Sequence, residues 1–133
     1  MAPTLFKATA IATFACGVAV HVLRVAVGID TLTRQIVTPP VDIALGCLIT
    51  VAAVTGALSW KRFVGSKAVR VGYGFAMFML IVSVPIHLRT ALTWSTDYLK
   101  VFPTWYSVVE IPMCLGLALL TSRLRFDMVS RAG

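Results

Sequence analysis

A small set of ionisable side chains lies inside or at the ends of long apolar runs, where such groups are costly and therefore rare. They are two histidines, two arginines and two acids: His21, His87, Arg24, Arg89, Asp42 and Glu110. Imidazoles and carboxylates transfer protons near neutral pH, and a guanidinium binds carboxylate or phosphate groups. These side chains are candidates for acid–base chemistry, or for holding the polar end of a bound molecule.

The spacing of these residues predicts that they lie at similar depths. Counted from the basic residue at the far end of the same run, the two histidines and Glu110 lie 14, 17 and 13 residues along. At about 1.5 Å per residue this is a depth of roughly 20 to 25 Å. The two arginines and Asp42 lie 17, 19 and 19 residues along, at roughly 25 to 29 Å. We therefore expect two polar layers in one half of a bundle, lining a pocket that opens on that side.

The same residues also have a structural explanation. The arginines can snorkel to the interface or pair with Asp42 and Glu110, and the histidines can hydrogen-bond to neighbouring helices. A third hypothesis is a b-type haem, with His21 and His87 as axial ligands and the arginines near its propionates. Apart from that case we predict no metal site, because the three cysteines are isolated from one another and form no C-x-x-C pair.

Aromatic residues gather near the ends of the third and fourth apolar runs. Trp94, Tyr98, Trp105 and Tyr106 are predicted to form an interfacial belt. Because they adjoin the polar layers, Trp94, Trp105 and Tyr106 join the arginines and Asp42 as candidate ligand-binding residues.

Composition and apolar run length identify the elements that must position these side chains. Hydrophobic residues make up 59% of the chain and charged residues 13%, against about 25% charged in a typical soluble domain. Four apolar runs are each long enough to cross a bilayer. The first continues well past Cys16, so we interpret it as a span rather than as a cleaved signal peptide. The runs cover residues 5–27, 41–60, 71–92 and 103–122, approximately.

These runs predict an all-α fold, an integral membrane four-helix bundle that forms a single transmembrane domain over residues 1–133. The expected location is a membrane, with the chain crossing it as a multi-pass protein. The termini and the middle loop share one side and hold 8 basic residues, against 4 on the other. Both termini are therefore expected to be cytoplasmic.

The net charge of +7 then belongs to the cytoplasmic face of the predicted bundle, and the outer face is neutral. Basic residues that flank spans attract anionic lipid headgroups. The sequence contains no nucleic-acid-binding motif, so the expected partner of this face is the lipid bilayer and not a nucleic acid.

A similar order of residues, which resembles an internal repeat, is found in the two halves of the chain. His21, near the end of the first run, precedes a loop and a span that contains Asp42, and His87 likewise precedes a loop and a span that contains Glu110. The pattern suggests duplication of a two-helix hairpin, with a pseudo-twofold axis along the membrane normal. Such an axis would bring both histidines toward one central site.

The sequence is compatible with three classes of function. The first is a binding or accessory subunit, which holds a lipid-soluble small molecule or docks to a larger membrane complex or to further copies of itself. The second is a membrane-embedded enzyme in which His21, His87 and Glu110 are acid–base groups on an apolar substrate that Arg24 and Arg89 position. The third is a proton-coupled transporter in which Glu110 cycles its proton.

Overall fold

Four long helices dominate the computed structural model, which describes residues 1–129. Within these residues, all four are long and apolar enough to cross a membrane. The prediction of an all-α fold with four such helices is confirmed. Arg131, one of the eight basic residues counted on the terminal side, lies outside the described residues. The helices are α1 (Ala2–Val27), α2 (Pro39–Ser59), α3 (Lys67–Thr93) and α4 (Thr104–Arg123).

The three connections between the helices are short and partly ordered. The first has a helical turn followed by a π-helical turn, Ile29–Thr31 and Leu32–Ile36. The second has a 3-10 turn and a two-residue strand, Trp60–Arg62 and β1 (Phe63–Val64). The third has a 3-10 turn, Asp97–Val101, and a second short strand, β2 (Arg125–Phe126), follows α4. β1 and β2 pair antiparallel, which ties the second connection to the segment after α4.

Several hydroxyl groups on the long helices are satisfied within their own helix. Ser59 and Thr121 are buried and each donates a hydrogen bond to the carbonyl four residues earlier, at 2.6 and 2.7 Å. At the start of α3 the Ser66 hydroxyl accepts the N–H of Val69, which is a helix N-cap. α1 ends before Gly28, whose φ of +81° is a conformation that glycine adopts without steric cost.

An aromatic core closes the end of the bundle that carries the termini. Tyr73 is at its centre, with no exposed surface, and its hydroxyl donates to the carbonyl of Gly56 at 2.6 Å. Gly56 also lets Met77 and the Phe6 ring pack closely against it, because a Cβ there would collide with the Met77 sulfur and would lie 2.8 Å from the ring. The rings that surround Tyr73 are Phe6, Trp60, Phe63 and Phe126.

The helices pack unequally around the bundle. α1 packs against both α2 and α4, and α2 packs against α3, whereas α3 and α4 make few contacts with each other. One α3–α4 contact lies at the terminal end, where a Cβ at Gly72 would meet Leu120. The seam between α3 and α4 is therefore the loosest side of the bundle. A cavity lies between the helices in the half of the bundle away from the termini.

Candidate functional site

The cavity has a volume of about 170 Å³ and lies between the four helices, in the half of the bundle away from the termini. Residues of the first and third connections, Val37 and Leu99, line it on that side. Much of the wall is apolar, with Phe14, Ile49 and Leu80 among its members. Besides the thiols of Cys16 and Cys114, the ionisable and phenolic side chains on the wall are His21, Arg24, Asp42, His87, Tyr98, Tyr106 and Glu110.

The structure places six of the nine predicted site residues on this wall and three elsewhere. The six are His21, Arg24, Asp42, His87, Tyr106 and Glu110. Arg89 is exposed on α3. Trp94 and Trp105 are 64% and 66% exposed, which suits an interfacial position and not a pocket wall.

Asp42 is the centre of the first polar cluster. Its Oδ1 lies 2.6 Å from Nδ1 of His87, and its Oδ2 accepts hydrogen bonds from the hydroxyls of Thr90 and Tyr98. Only 1% of Asp42 is exposed, and a buried carboxylate requires such donors to offset its desolvation. Burial, and then the neighbouring carboxylate, raise the pKa of Tyr98 above its ordinary value, so this hydroxyl stays protonated and donates.

His21 is the centre of the second cluster. Its Nδ1 lies 2.9 Å from Oγ of Ser107, and its Nε2 lies 3.9 Å from Oε2 of Glu110. The same Glu110 oxygen accepts from the Cys114 thiol at 3.5 Å. A serine, a histidine and an acid in contact resemble a nucleophilic triad, but Ser107 is completely buried and is not part of the cavity wall. Ser107 therefore orients the imidazole and has no access to a substrate in the cavity.

Arg24 stands apart from both clusters. It is 7% exposed, its Nη2 donates to the carbonyl oxygen of Phe102, and its buried Nε has no hydrogen-bond partner. Among residues 1–129, no carboxylate lies within ion-pair distance of it. The expected pairing of the arginines with Asp42 and Glu110 is thus replaced by pairing of both acids with histidines.

The His–acid pairs are exchanged between the two halves of the chain. His21 on α1 faces Glu110 on α4, and His87 on α3 faces Asp42 on α2. Each histidine therefore meets the acid of the other hairpin, which is the relation that a pseudo-twofold axis produces. The relation is partial, because α1 packs closely against α2 whereas α3 and α4 are loosely packed. The contact of His87 with Asp42 also joins the two layers that residue counting separated.

Four residues of these clusters were not among the predicted site residues: Thr90, Ser107, Tyr98 and Cys114. Thr90 follows His87 by three positions and so shares its helix face, a signal that the sequence offered. Ser107 likewise precedes Glu110 by three positions on α4. Tyr98 was expected at the interface, but it is only 8% exposed and reaches Asp42 at 2.9 Å. Its position depends on the folded third connection, which residue spacing does not specify.

The cavity does not fit a haem. Its volume of about 170 Å³ is below the roughly 300 to 1,000 Å³ of common small-molecule pockets. The imidazoles of His21 and His87 are also already in contact with Glu110 and Asp42. Within residues 1–129, no group of three or more His, Cys, Asp or Glu side chains is placed to hold a metal ion.

Comparison with known proteins adds no relative from which a function can be carried over. No protein-family model matches the chain, and no curated protein and no solved structure is significantly similar to it.

Proposed function

We propose that this chain is a four-span membrane protein that binds a lipid-soluble small molecule, with the polar end of that molecule in the central cavity. One observation carries the proposal. Ionisable side chains from all four helices converge on one cavity whose remaining wall is largely apolar. Sites for small molecules combine an apolar wall with a few convergent polar groups in this way.

Membrane insertion is supported by the outer surface of the helices. Large apolar side chains such as Val54, Leu58, Phe78 and Leu119 are more than half exposed, and the acyl chains of a bilayer would cover them. The excess of basic residues on the terminal side supports an orientation with both termini in the cytoplasm. Arg24 and Arg89 then lie toward the outer interface.

Single-cysteine labelling tests this topology, after the native cysteines Cys16, Cys47 and Cys114 are replaced by alanine. We expect a membrane-impermeant maleimide added outside intact cells to label Gln35→Cys and Val101→Cys, which lie at exposed positions of the first and third connections. Val64→Cys, in the second connection, should be labelled only after the membrane is opened. Labelling of Val64→Cys alone from outside would reverse the proposed orientation.

The cavity volume limits the part of the molecule that it can hold. A cavity of about 150 Å³ accommodates benzene, so about 170 Å³ suits a head group the size of one ring or a short chain segment. A longer apolar tail must pass between helices into the surrounding lipid. The loosely packed α3–α4 seam is the exit that requires the least rearrangement.

A purely structural role of the polar clusters explains this geometry less well. Protein interiors are packed closely, with few voids larger than a water molecule. If these polar groups served only to connect the helices, we would expect other side chains to fill the space beside them. Here two His–acid pairs and a buried arginine border an open cavity instead.

Blocking the cavity tests the proposed binding. Ser83 lies on the cavity wall, and Ser83→Phe places a ring in the space. Ser122 on α4 is exposed, so Ser122→Phe is the matched control. Solvent extraction and mass spectrometry of purified protein should detect a lipid-soluble molecule enriched over bulk lipid in the wild type and in Ser122→Phe, and not in Ser83→Phe. The same molecule at the same level in Ser83→Phe would contradict binding in this cavity.

Acid–base catalysis on the bound molecule is a second candidate, favoured by the two His–carboxylate pairs on one cavity. The imidazoles of His21 and His87 would face a bound molecule from two sides. One could remove a proton from the molecule at one position while the other delivers a proton at a second position. Incubation of the extracted molecule with the protein in D₂O tests this role. Deuterium should appear on carbon with the wild type and be lost in His21→Gln or His87→Gln. If the protein binds the molecule but no deuterium is incorporated into it, the catalytic role is refuted and only the binding role remains.

A further inference from the structure

The polar groups of the cavity are not equally satisfied, and the difference identifies the chemistry of the head group. Both carboxylates are engaged, Asp42 by His87, Thr90 and Tyr98, and Glu110 by Cys114 with His21 nearby. Arg24 is engaged by one backbone carbonyl only, and its Nε has no partner. Among these side chains, Arg24 is therefore the least satisfied, and it is a donor with a positive charge on a residue of the cavity wall.

We propose that Arg24 anchors an anionic head group, and that the molecule bound in the cavity is a lipid-soluble carboxylic acid. The inference rests on the proposed binding function and names its ligand class. Only 7% of Arg24 is exposed, so more than nine-tenths of the residue is buried. It lies on the cavity wall. A buried charge is strongly disfavoured unless it is paired. No acid among residues 1–129 pairs with Arg24, so a carboxylate supplied by the ligand would meet its charge.

A carboxylate matches this position in geometry as well as in charge. A guanidinium presents parallel N–H groups that bind the two oxygens of a carboxylate together. His21 lies three residues before Arg24, on the same face of α1, and offers an imidazole beside the same position. The apolar wall, which includes Leu80 and Phe14, suits the first methylene groups of the chain. A single-chain acid places its carboxyl group in the cavity and the rest of its chain in the lipid.

Three probes with the same chain length separate charge from hydrogen bonding: dodecanoic acid, methyl dodecanoate and dodecanol, each radiolabelled. Binding is measured on full-length protein in nanodiscs of a neutral phospholipid, with empty nanodiscs subtracted. A hydrogen bond to a charged partner contributes enough to shift affinity about tenfold or more. We expect the wild type to prefer the acid over the ester and the alcohol by at least about that factor.

Arg24→Gln removes the charge and keeps an amide that can donate to the Phe102 carbonyl. It should lose the preference for the acid while its affinity for dodecanol stays unchanged, which also shows that the variant is folded. Arg89→Gln, which removes an exposed arginine outside the cavity, should behave as wild type.

The outcomes separate the two proposals. If the wild type binds ester and acid equally, or if Arg24→Gln keeps the preference for the acid, the anionic ligand is refuted and the binding cavity survives. If the wild type retains none of the three probes above empty nanodiscs, the binding proposal and the inference that rests on it both fail.

Discussion

Replacement of Asp42 by alanine should be one of the most damaging single changes in the polar half of the bundle. The carboxylate accepts hydrogen bonds from His87, Thr90 and Tyr98, and all three donors lose their acceptor. Hydrogen bonds between membrane helices average about 0.6 kcal/mol, and bonds to charged groups reach about 1.5 to 3 kcal/mol. Three bonds then total about 2 kcal/mol at the membrane average and about 5 to 9 kcal/mol at the charged-group values. Because the hydroxyls of Thr90 and Tyr98 and the imidazole of His87 lose their acceptor inside the bundle, we expect a loss of about 3 kcal/mol in the free energy of unfolding, near the lower end of this range.

Reversible unfolding in mixed micelles measures this loss, with sodium dodecyl sulfate titrated against a neutral detergent and helix content followed by circular dichroism. Asp30→Ala is the matched control, because the Asp30 side chain is 70% exposed and its single ion pair among residues 1–129 is with Lys100, at 3.4 Å. Its free energy of unfolding should change by less than about 0.5 kcal/mol. Asp42→Asn keeps one acceptor oxygen and should fall between the two. Equal free energies for Asp42→Ala and Asp30→Ala would refute the view that Asp42 organises this cluster.

Two further predictions concern packing and pH. Gly56→Ala introduces a Cβ that would collide with the Met77 sulfur and would lie 2.8 Å from the Phe6 ring, so it should lower the free energy of unfolding by about 1 to 3 kcal/mol. Gly116→Ala meets no atom within 4 Å and should be neutral or stabilising in the same titration. In the third connection, the Lys100 ammonium, 3.1 Å from Asp97, lowers the pKa of that carboxyl, and Asp97 raises the pKa of Lys100. A lowered acid pKa gives stability that is lost as pH falls through the folded-state value, and a raised lysine pKa gives stability that is lost as pH rises through it. Hydrogen exchange of this connection, corrected for intrinsic rates, should therefore be slowest across neutral pH and faster in acid, and Asp97→Asn should abolish the acidic change. If protection from hydrogen exchange in the third connection is unchanged in acid, the Lys100–Asp97 pair does not stabilise that connection.

The sequence alone predicts the helices of this protein, because the requirements that produce them are local. A chain that crosses a bilayer needs a continuous apolar run of sufficient length, and an α-helix satisfies every backbone group within that run. The rise per residue is fixed, so counting residues also places His21, His87, Asp42 and Glu110 in the same half of the bundle. The structure brings these four side chains to one cavity.

Residue counting gives depth, but only the tertiary structure decides the direction in which each side chain points. Arg89 follows His87 by two positions, which turns it about 200° around the helix axis, and it lies on the surface while His87 faces the cavity. The pairing of each histidine with the acid of the other hairpin depends on which helices are neighbours. The burial of Tyr98 against Asp42 depends on the fold of a connection. These contacts join residues 45 to 89 positions apart, and such relations arise from packing between helices, which no local pattern specifies.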